Sequence, residues 1–421
     1  MNRVLLKDIS TRISSGVTPL RSNPDFWDSQ DIPWVKTEQL GIKHIWDSNE
    51  KISTTALEKT SLKLNPVNSL SVAMYGEGRT RGSVSIFKKE VTTNQACCNI
   101  AIDNSKADYE YVYYFLKTQY NELRNLSSGV RKNLNSNDIK NFEIRLPSEL
   151  NTQKKIAKVL ANLDDKIELN NKINVELEAI AKLIYDYWFV QFDFPDVNGR
   201  PYKSSDGKMV YNEELKREIP DGWDVKQLHE LLSFERGISY KSKEITEKGV
   251  PMINLNSFNL SGQYKSKGIK YFSGAYKENK VVSSGDLVIA ITDVTRNADI
   301  IGKAFTIPDL FDEDILISCD VAKVVPSNSL NVQFLEPLFN SEQYHSYIKH
   351  FASGTLVLHL NLDGVNWCKI PLPPIEVLNK YSELRTDIDK KLTLAIKENK
   401  KLTELRDWLL PMLMNGQVTV K

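Results

Sequence analysis

The feature that most constrains this chain is that its pattern occurs twice. A shift of 225 residues (381 − 156) carries Ile156 onto Tyr381, Leu163 onto Ile388, Ile167 onto Leu392, Asn174 onto Asn399, Leu177 onto Leu402 and Ile184 onto Leu409. The same shift brings Ser128-Gly129 onto Ser353-Gly354, and one residue of slippage aligns Leu146-Pro147 with Leu372-Pro373. Upstream the match is looser: "SLSVAMYGEGRTRGSVSIF" lies beside "GDLVIAITDVTRNADIIGKAF", and "LKDISTRISSGV" beside "VKQLHELLSFERGIS". So long a period signals a duplicated domain, not a solenoid of short repeats. A length of 421 residues independently favours more than one core.

The sharpest part of each copy is a long amphipathic stretch. In the first, Ile156, Leu160, Leu163, Ile167, Asn170, Asn174, Leu177, Ala181, Ile184 and Trp188 are spaced alternately by four and three, the seam of a coiled coil. Tyr381, Leu384, Ile388, Leu392, Ala395, Asn399, Leu402, Leu405 and Leu409 form a comparable stripe in the second. Each stripe needs an apolar partner, and each carries Asn near its middle, a residue that sets register at some cost in stability. The economical arrangement packs the two helices on each other; the alternative is two ordinary core helices in separate domains. A helix over 151–188 would be about 55 Å long at ~1.5 Å per residue, a spacer beyond the needs of a small core. Pro411 restricts the residue before it, so the second helix is expected to end near Leu410. The stretch "FDFPDVNGRPYKSSDGKMVYNEELKREIPDGW", rich in Pro, Gly, Asp and Ser, reads as a linker.

The expected organisation is therefore a globular unit over 1–150, a long helix over 151–189, a linker over 190–220, a second unit over 221–373, a second helix over 374–415 and a tail over 416–421. The fold class is α+β: two similar mixed α/β domains separated by two long antiparallel coiled-coil helices, with a pseudo-two-fold internal repeat. Short alternating runs such as "SLSVAMY", "GSVSIF", "DLVIAI" and "GKAFTI" read as strands, with turns between. "DYEYVYYFLKTQYNELRNL" and "VQFLEPLFNSEQYHSYIKHF" read as one helix per unit, each stopped by the Gly of Ser-Gly.

Chemistry-bearing motifs are scarce. There is no G-x-G-x-x-G after a strand and no G-x-x-x-x-G-K-[ST]. No Asn/Asp-Pro-Pro-aromatic stretch offers the flipped-base pocket of an amino-methyltransferase. The five histidines lack ligand spacing, and Cys97, Cys98, Cys319 and Cys368 form no C-x-x-C; buried thiols in a reduced cytoplasm fit best. No apolar run approaches the ~18 residues of a membrane span. Pro195-Asp196 followed by Glu214-Leu215-Lys216 is a nuclease-like match for a Mg-dependent cut, against a solvated linker as the plainer account. Asp164-x-Lys166 and Asp389-x-Lys391 resemble half of such a motif, but on matched helices they read as charged flank or partner contacts. Net charge is +1 (55 − 54), too balanced for a non-specific nucleic-acid field, so any such site is a local patch or is completed by partners.

Loops remain. "YGEGRTRGS" (75–83) places Arg79 and Arg81 among three glycines, and arginine bidentate to guanine is the commonest direct base readout. The equivalent "TDVTRNADIIG" offers Asp293, Thr295, Arg296 and Asn297 to cytosine or adenine. After Ser-Gly come Arg131, Lys132 and Asn133 in one copy and the apolar "TLVLHLNLDG" in the other, which either meets a thymine methyl or is core. A surface hairpin with incidental charge is the alternative for each loop. Divergent polar loops at one place in two copies point to readers of different targets.

At this point the chain resembles the specificity subunit of type I restriction–modification systems, over essentially its whole length. The features are the domain–helix duplication, "IPLPPIEVLNKY" and "RLPSELNTQKKIAKVL" at the helix starts, "FDFPDVNGRPY", "REIPDGW" and "GDLVIA". The resemblance implies a non-catalytic, cytoplasmic DNA-recognition subunit. Two target-recognition domains would each read half of a split double-stranded DNA sequence, and the paired helices would set the spacer. Two modification subunits carrying S-adenosylmethionine would dock on the chain and methylate adenine N6, and restriction subunits with ATP and Mg would be further partners. No cofactor is expected in this chain itself. Recognition domains vary with their targets, so contact candidates are positional. Beyond the loops named, they are Ser15, Lys36, Thr37, Glu77 and Thr80 in the first unit and Arg236, Tyr240, Lys241, Asn254 and Thr355 in the second. The competing classes are a Mg-dependent nuclease and a scaffold without sequence readout.

Overall fold

The duplication in the sequence is a duplication of sheet topology. In a computed structural model that describes residues 1–29, 31–76, 80–126, 133–327 and 330–420, the strands Ser10–Ser15, Cys97–Ile102, Leu70–Ala73 and Val84–Phe87 are neighbours in that order, all antiparallel. Leu232–Arg236, Val321–Pro326, Leu287–Ala290 and Ala304–Thr306 repeat that order and direction. A smaller sheet is duplicated too. Ile32–Val35 pairs antiparallel with Glu50–Ile52 and parallel with Thr92–Thr93, as Val250–Ile253 does with Lys270–Phe272 and Ile315–Ile317. Each domain is closed by its own ends, Asn2–Leu5 on Glu143–Leu146 and Asp224–Gln227 on Lys369–Leu372. Leu70–Ala73, Val84–Phe87 and Leu287–Ala290 are buried at every position, Ser71 and Ser85 included, so the alternation read along the first two does not separate a wet face from a dry one.

Each segment expected as one helix is two. Tyr109–Thr118, capped by Asp108, gives way at Gln119 to Tyr120–Asn125. Val332–Asn340, capped by Asn331, ends at Ser341, whose hydroxyl caps Glu342–Ile348. Gly354 stops no helix: the chain is already a strand at Ala352–Ser353, and Gly354 (φ +140°) turns a hairpin into Leu358–Leu360.

The long helices are Leu150–Tyr185, followed by a π-helical turn over Asp186–Val190, and Ile375–Met414. Pro411 lies inside the second, one turn from its end, so the helix runs past the expected stop near Leu410 and ends one residue short of the expected bound at 415. A proline there removes only one N–H bond, and Asn415 N–H still reaches the Pro411 carbonyl. Every position of the first seam is buried or half-buried. In the second, Leu384 and Leu405 face solvent, and their neighbours Arg385 and Arg406 turn inward.

By contacts the chain divides into Met1–Leu169 with Asn399–Lys421, and Asn170–Glu398, a division that cuts both long helices. In the first unit Ile156, Ala157, Leu160 and Ala161 share one core with Leu410, Leu413, Met414 and the sheet. In the second, Tyr185, Trp188 and Phe189 pack on Tyr381, Phe334 and Trp223. Ascending numbers on one helix meet descending numbers on the other in both units, so the segments pair antiparallel. The expected linker is part of the second core. Phe192, Phe194 and Ile219 are buried there, Phe194 stacks on Tyr202, and Met209–Asn212 forms a hairpin with Arg217–Pro220. Its aromatic residues outweigh the turn-forming ones between them.

Candidate nucleic-acid interface

In the second unit a three-stranded ribbon presents the candidate loops. Thr292–Asp293 and Ala352–Ser353 flank Leu358–Leu360, with Asp293 opposite Leu358 and Ser353 opposite His359. Both pairings are antiparallel, so the loop after Asp293 and the hairpin turn 354–357 leave the ribbon at the same end. Asp293 is fully buried. Its carboxylate accepts N–H groups from Thr295 (2.6 Å), Ile300 (2.6 Å) and Ile301 (2.9 Å), and the Thr295 hydroxyl accepts Asp299 N–H. The expectation that Asp293 meets a base is therefore corrected: its oxygens are spent on the loop, which they hold folded. Arg296 and Asn297 are exposed on that loop, as is Thr355 on the hairpin. Burial, then the Lys303 and Lys349 charges, holds the His345 imidazole below its usual value; cationic groups thus gather behind the loop.

Asn254 is the second correction. It is buried, its amide donates to the carbonyls of Met252 and Gly268, and its carbonyl caps a turn at Asn256 N–H. Nearby, Tyr240 is half-buried, accepts from Lys270 Nζ at 3.1 Å and lies under its ammonium, while Arg236 and Lys241 are exposed.

In the first unit Glu77, Arg79, Arg131 and Lys132 lie outside the described residues. Thr80, Arg81 and Asn133 are half-buried around that loop. Gly82, at φ +86°, lies where an added Cβ would sit 3.3 Å from the Tyr120 carbonyl, which anchors the loop's return on the short helix. The Ser15 and Ser136 hydroxyls share a hydrogen bond of 2.6 Å. Lys36 reaches Glu50 at 2.6 Å and Glu38 at 2.9 Å, and these bonds raise its pKa. Glu50 also takes Arg21, whose guanidinium lies over the Trp27 and Trp34 rings at 3.8 and 4.9 Å. Thr37 opens a short 3-10 turn beside them.

The nuclease-like carboxylates have other employment. Asp196 accepts the N–H groups of Asn198 and Arg200 and pairs with the Arg200 guanidinium, whereas Glu214 pairs with Lys369 at 2.8 Å. Among the described residues no cluster of three His, Cys, Asp or Glu has metal-holding geometry. All four cysteines are free. Among the same residues no helix is long and apolar enough to cross a membrane.

The half-motif acids are repeat mates (389 − 164 = 225), and both take an inward arginine. Asp164 accepts Arg406 Nη1 at 2.8 Å and Tyr114 Oη at 2.7 Å. Burial raises its pKa, but the Arg406 bond, the Lys117 charge and the Tyr114 bond together leave it below the usual value. Asp389 takes Arg385 Nε at 2.7 Å, and the same guanidinium reaches Glu336 at 3.1 Å. Both arginines were missed by apolar spacing. Beside Arg385 opens a groove of about 910 Å³, mostly apolar, lined among others by Val175, Ala179, Phe305, Leu394 and Ile396.

With this geometry in view, the family model described as the type I restriction modification DNA specificity domain matches residues 1–179 and 220–405. The chain belongs to that family. Its two matches fall on the two copies of the repeat. A type I restriction enzyme specificity subunit, MjaIX of Methanocaldococcus jannaschii, is 28% identical over 99% of this chain and 93% of its own length. The HindI specificity subunit of Haemophilus influenzae is 26% identical over 69% of this chain and 72% of its own length. The fold matches the crystal structure of a type I restriction-modification S subunit from M. genitalium, with a TM-score of 0.62, 18% identity and coverage of 98% of this chain and 95% of that one. Membership places the chain among specificity subunits, the non-catalytic members of such systems, and removes the nuclease reading.

Proposed function

We propose that this chain reads a bipartite double-stranded DNA target for a type I restriction–modification complex, one half-site per domain. The observation that carries the reading is one sheet frame built twice with different polar loops in the equivalent connection. Arg79 and Arg81 are the proposed readers in the first domain. In the second they are Arg296, Asn297 and Thr355, with Arg236, Tyr240 and Lys241 flanking. Ser15, Lys36, Thr37, Thr80, Arg131, Lys132 and Asn133 complete the first surface. The paired helices set the spacer between half-sites, and their exposed apolar residues, Leu183, Leu394 and Trp408 among them, dock two modification subunits. S-adenosylmethionine belongs to those subunits; ATP and Mg belong to restriction subunits where present, all in the cytoplasm. A net charge of only +1 fits a subunit that completes its phosphate contacts with partners.

The test exchanges residues 221–350 for the matching segment of a relative in the assembled methyltransferase and maps methylation by single-molecule sequencing. One half of the recognised sequence is expected to change. A change in both halves, or in neither, refutes independent reading, and methylation without sequence preference supports a scaffold.

A further inference from the structure

Two exposed apolar side chains of the second unit stand where that unit is proposed to meet DNA. Leu356, at the hairpin turn, is 88% exposed, and Val294, the first residue of the neighbouring loop, is 61% exposed. The ribbon brings them together. Thr292–Asp293 and Leu358–Leu360 are hydrogen-bonded neighbours with Asp293 opposite Leu358, so the two loops start from strands about 4.8 Å apart. The Asp293 carboxylate gathers three N–H groups of one loop. The other turns on Gly354, where an added Cβ would meet the Val357 carbonyl at 2.0 Å. Exposed Arg296 and Asn297 flank the apolar tips with donors.

A leucine standing in water gains free energy only when something apolar covers it. On the major-groove edge of DNA the one apolar group is the thymine C5-methyl. We propose that Leu356, with Val294 beside it, is a specificity-determining residue that contacts a thymine methyl in the second half-site, a proposal that rests on the DNA-reading function above. The polar loop then reads hydrogen-bonding edges while the hairpin reads a methyl.

Deoxyuridine, which lacks only that methyl, is the probe. The half-site that changes on exchange of residues 221–350 is synthesised with each thymine of either strand replaced in turn, and binding by the full complex is measured. Covering one methyl corresponds to about fourfold in affinity, so at least one replacement is expected to weaken binding by that factor. Leu356→Ala should weaken binding to ordinary DNA similarly, and the sensitive replacement should then have no further effect. The side chain is exposed, so the variant should fold. The proposal is overturned if that half-site contains no thymine, if no replacement matters, or if the losses from Leu356→Ala and deoxyuridine multiply. It is also overturned if Leu356→Ala impairs subunit assembly and leaves the deoxyuridine response intact, which would make the tip a protein contact. Loss of all sequence preference in the native complex would instead refute the underlying reading, and this inference with it.

Discussion

Replacing Asp164 by Asn removes one charge from the first unit and little else. Asp164 accepts Arg406 at 2.8 Å and Tyr114 at 2.7 Å, and the two charged side chains of that pair are only 10% and 17% exposed. Breaking a buried ion pair by removing one partner costs about 3–5 kcal/mol, because the other charge stays buried. Arg406 keeps Asp407 at 2.7 Å, so the lower end, about 3 kcal/mol, is expected. The unit holds 192 residues (169 + 23), for which each kcal/mol moves Tm by roughly 2–4 °C. Calorimetry at pH 7 should therefore find its transition lowered by about 6–12 °C. The pH dependence has a definite sign. The folded carboxyl sits below its ordinary value, so its contribution is full above the unfolded pKa of about 3.9 and is lost as pH falls through the folded one. The deficit of the variant should persist from pH 7 to about pH 5 and shrink below about pH 4. Adding Arg406→Met should recover part of the loss, since it removes the stranded cation. An unchanged Tm, or a loss from Arg406→Met that simply adds, would refute the account.

In the second unit Arg385→Met should destabilise by about 3 kcal/mol at neutral pH, since it strands Glu336 and Asp389. Burial holds the Asp389 and Glu178 carboxyls above their ordinary values, so acidification toward pH 5 should lessen the deficit, and a deficit that grows on acidification would contradict this. Asp293→Ala frees three loop N–H groups, each costing about 1–3 kcal/mol when left unmet. Methylation mapping should then show relaxed preference in the second half-site alone; equal relaxation of both would count against a local role. Deleting seven residues from each long helix at paired positions removes about 10 Å, or about three base pairs at ~3.4 Å each. Methylation of a spacer library should shift to shorter spacers with weaker overall activity, and an unchanged preference would show that the helices are not the ruler.

Periodicity and repetition, read along the chain, already determined the duplicated α+β arrangement, two strands of each main sheet and the seam of the first long helix, because alternate spacings of four and three record which face of a helix is dry. Three features were decided only in three dimensions. Apolar spacing put Leu384 and Leu405 in the seam, yet Arg385 and Arg406 occupy it. A long aliphatic stem with a matched carboxylate buries as well as leucine, and the Asp164 that matches Arg406 is 242 residues distant. The stretch 190–220 looked like a linker because turn residues are local signals, while the core that receives Phe192 and Phe194 is assembled from distant segments. "TLVLHLNLDG" was ambiguous because leucine marks a core and a contact surface alike. Pairing of Leu358–Leu360 with Thr292–Asp293 buries Leu360 and leaves Leu356 in water, so which leucine meets solvent is set by the strand partner and not by the residue's own chemistry.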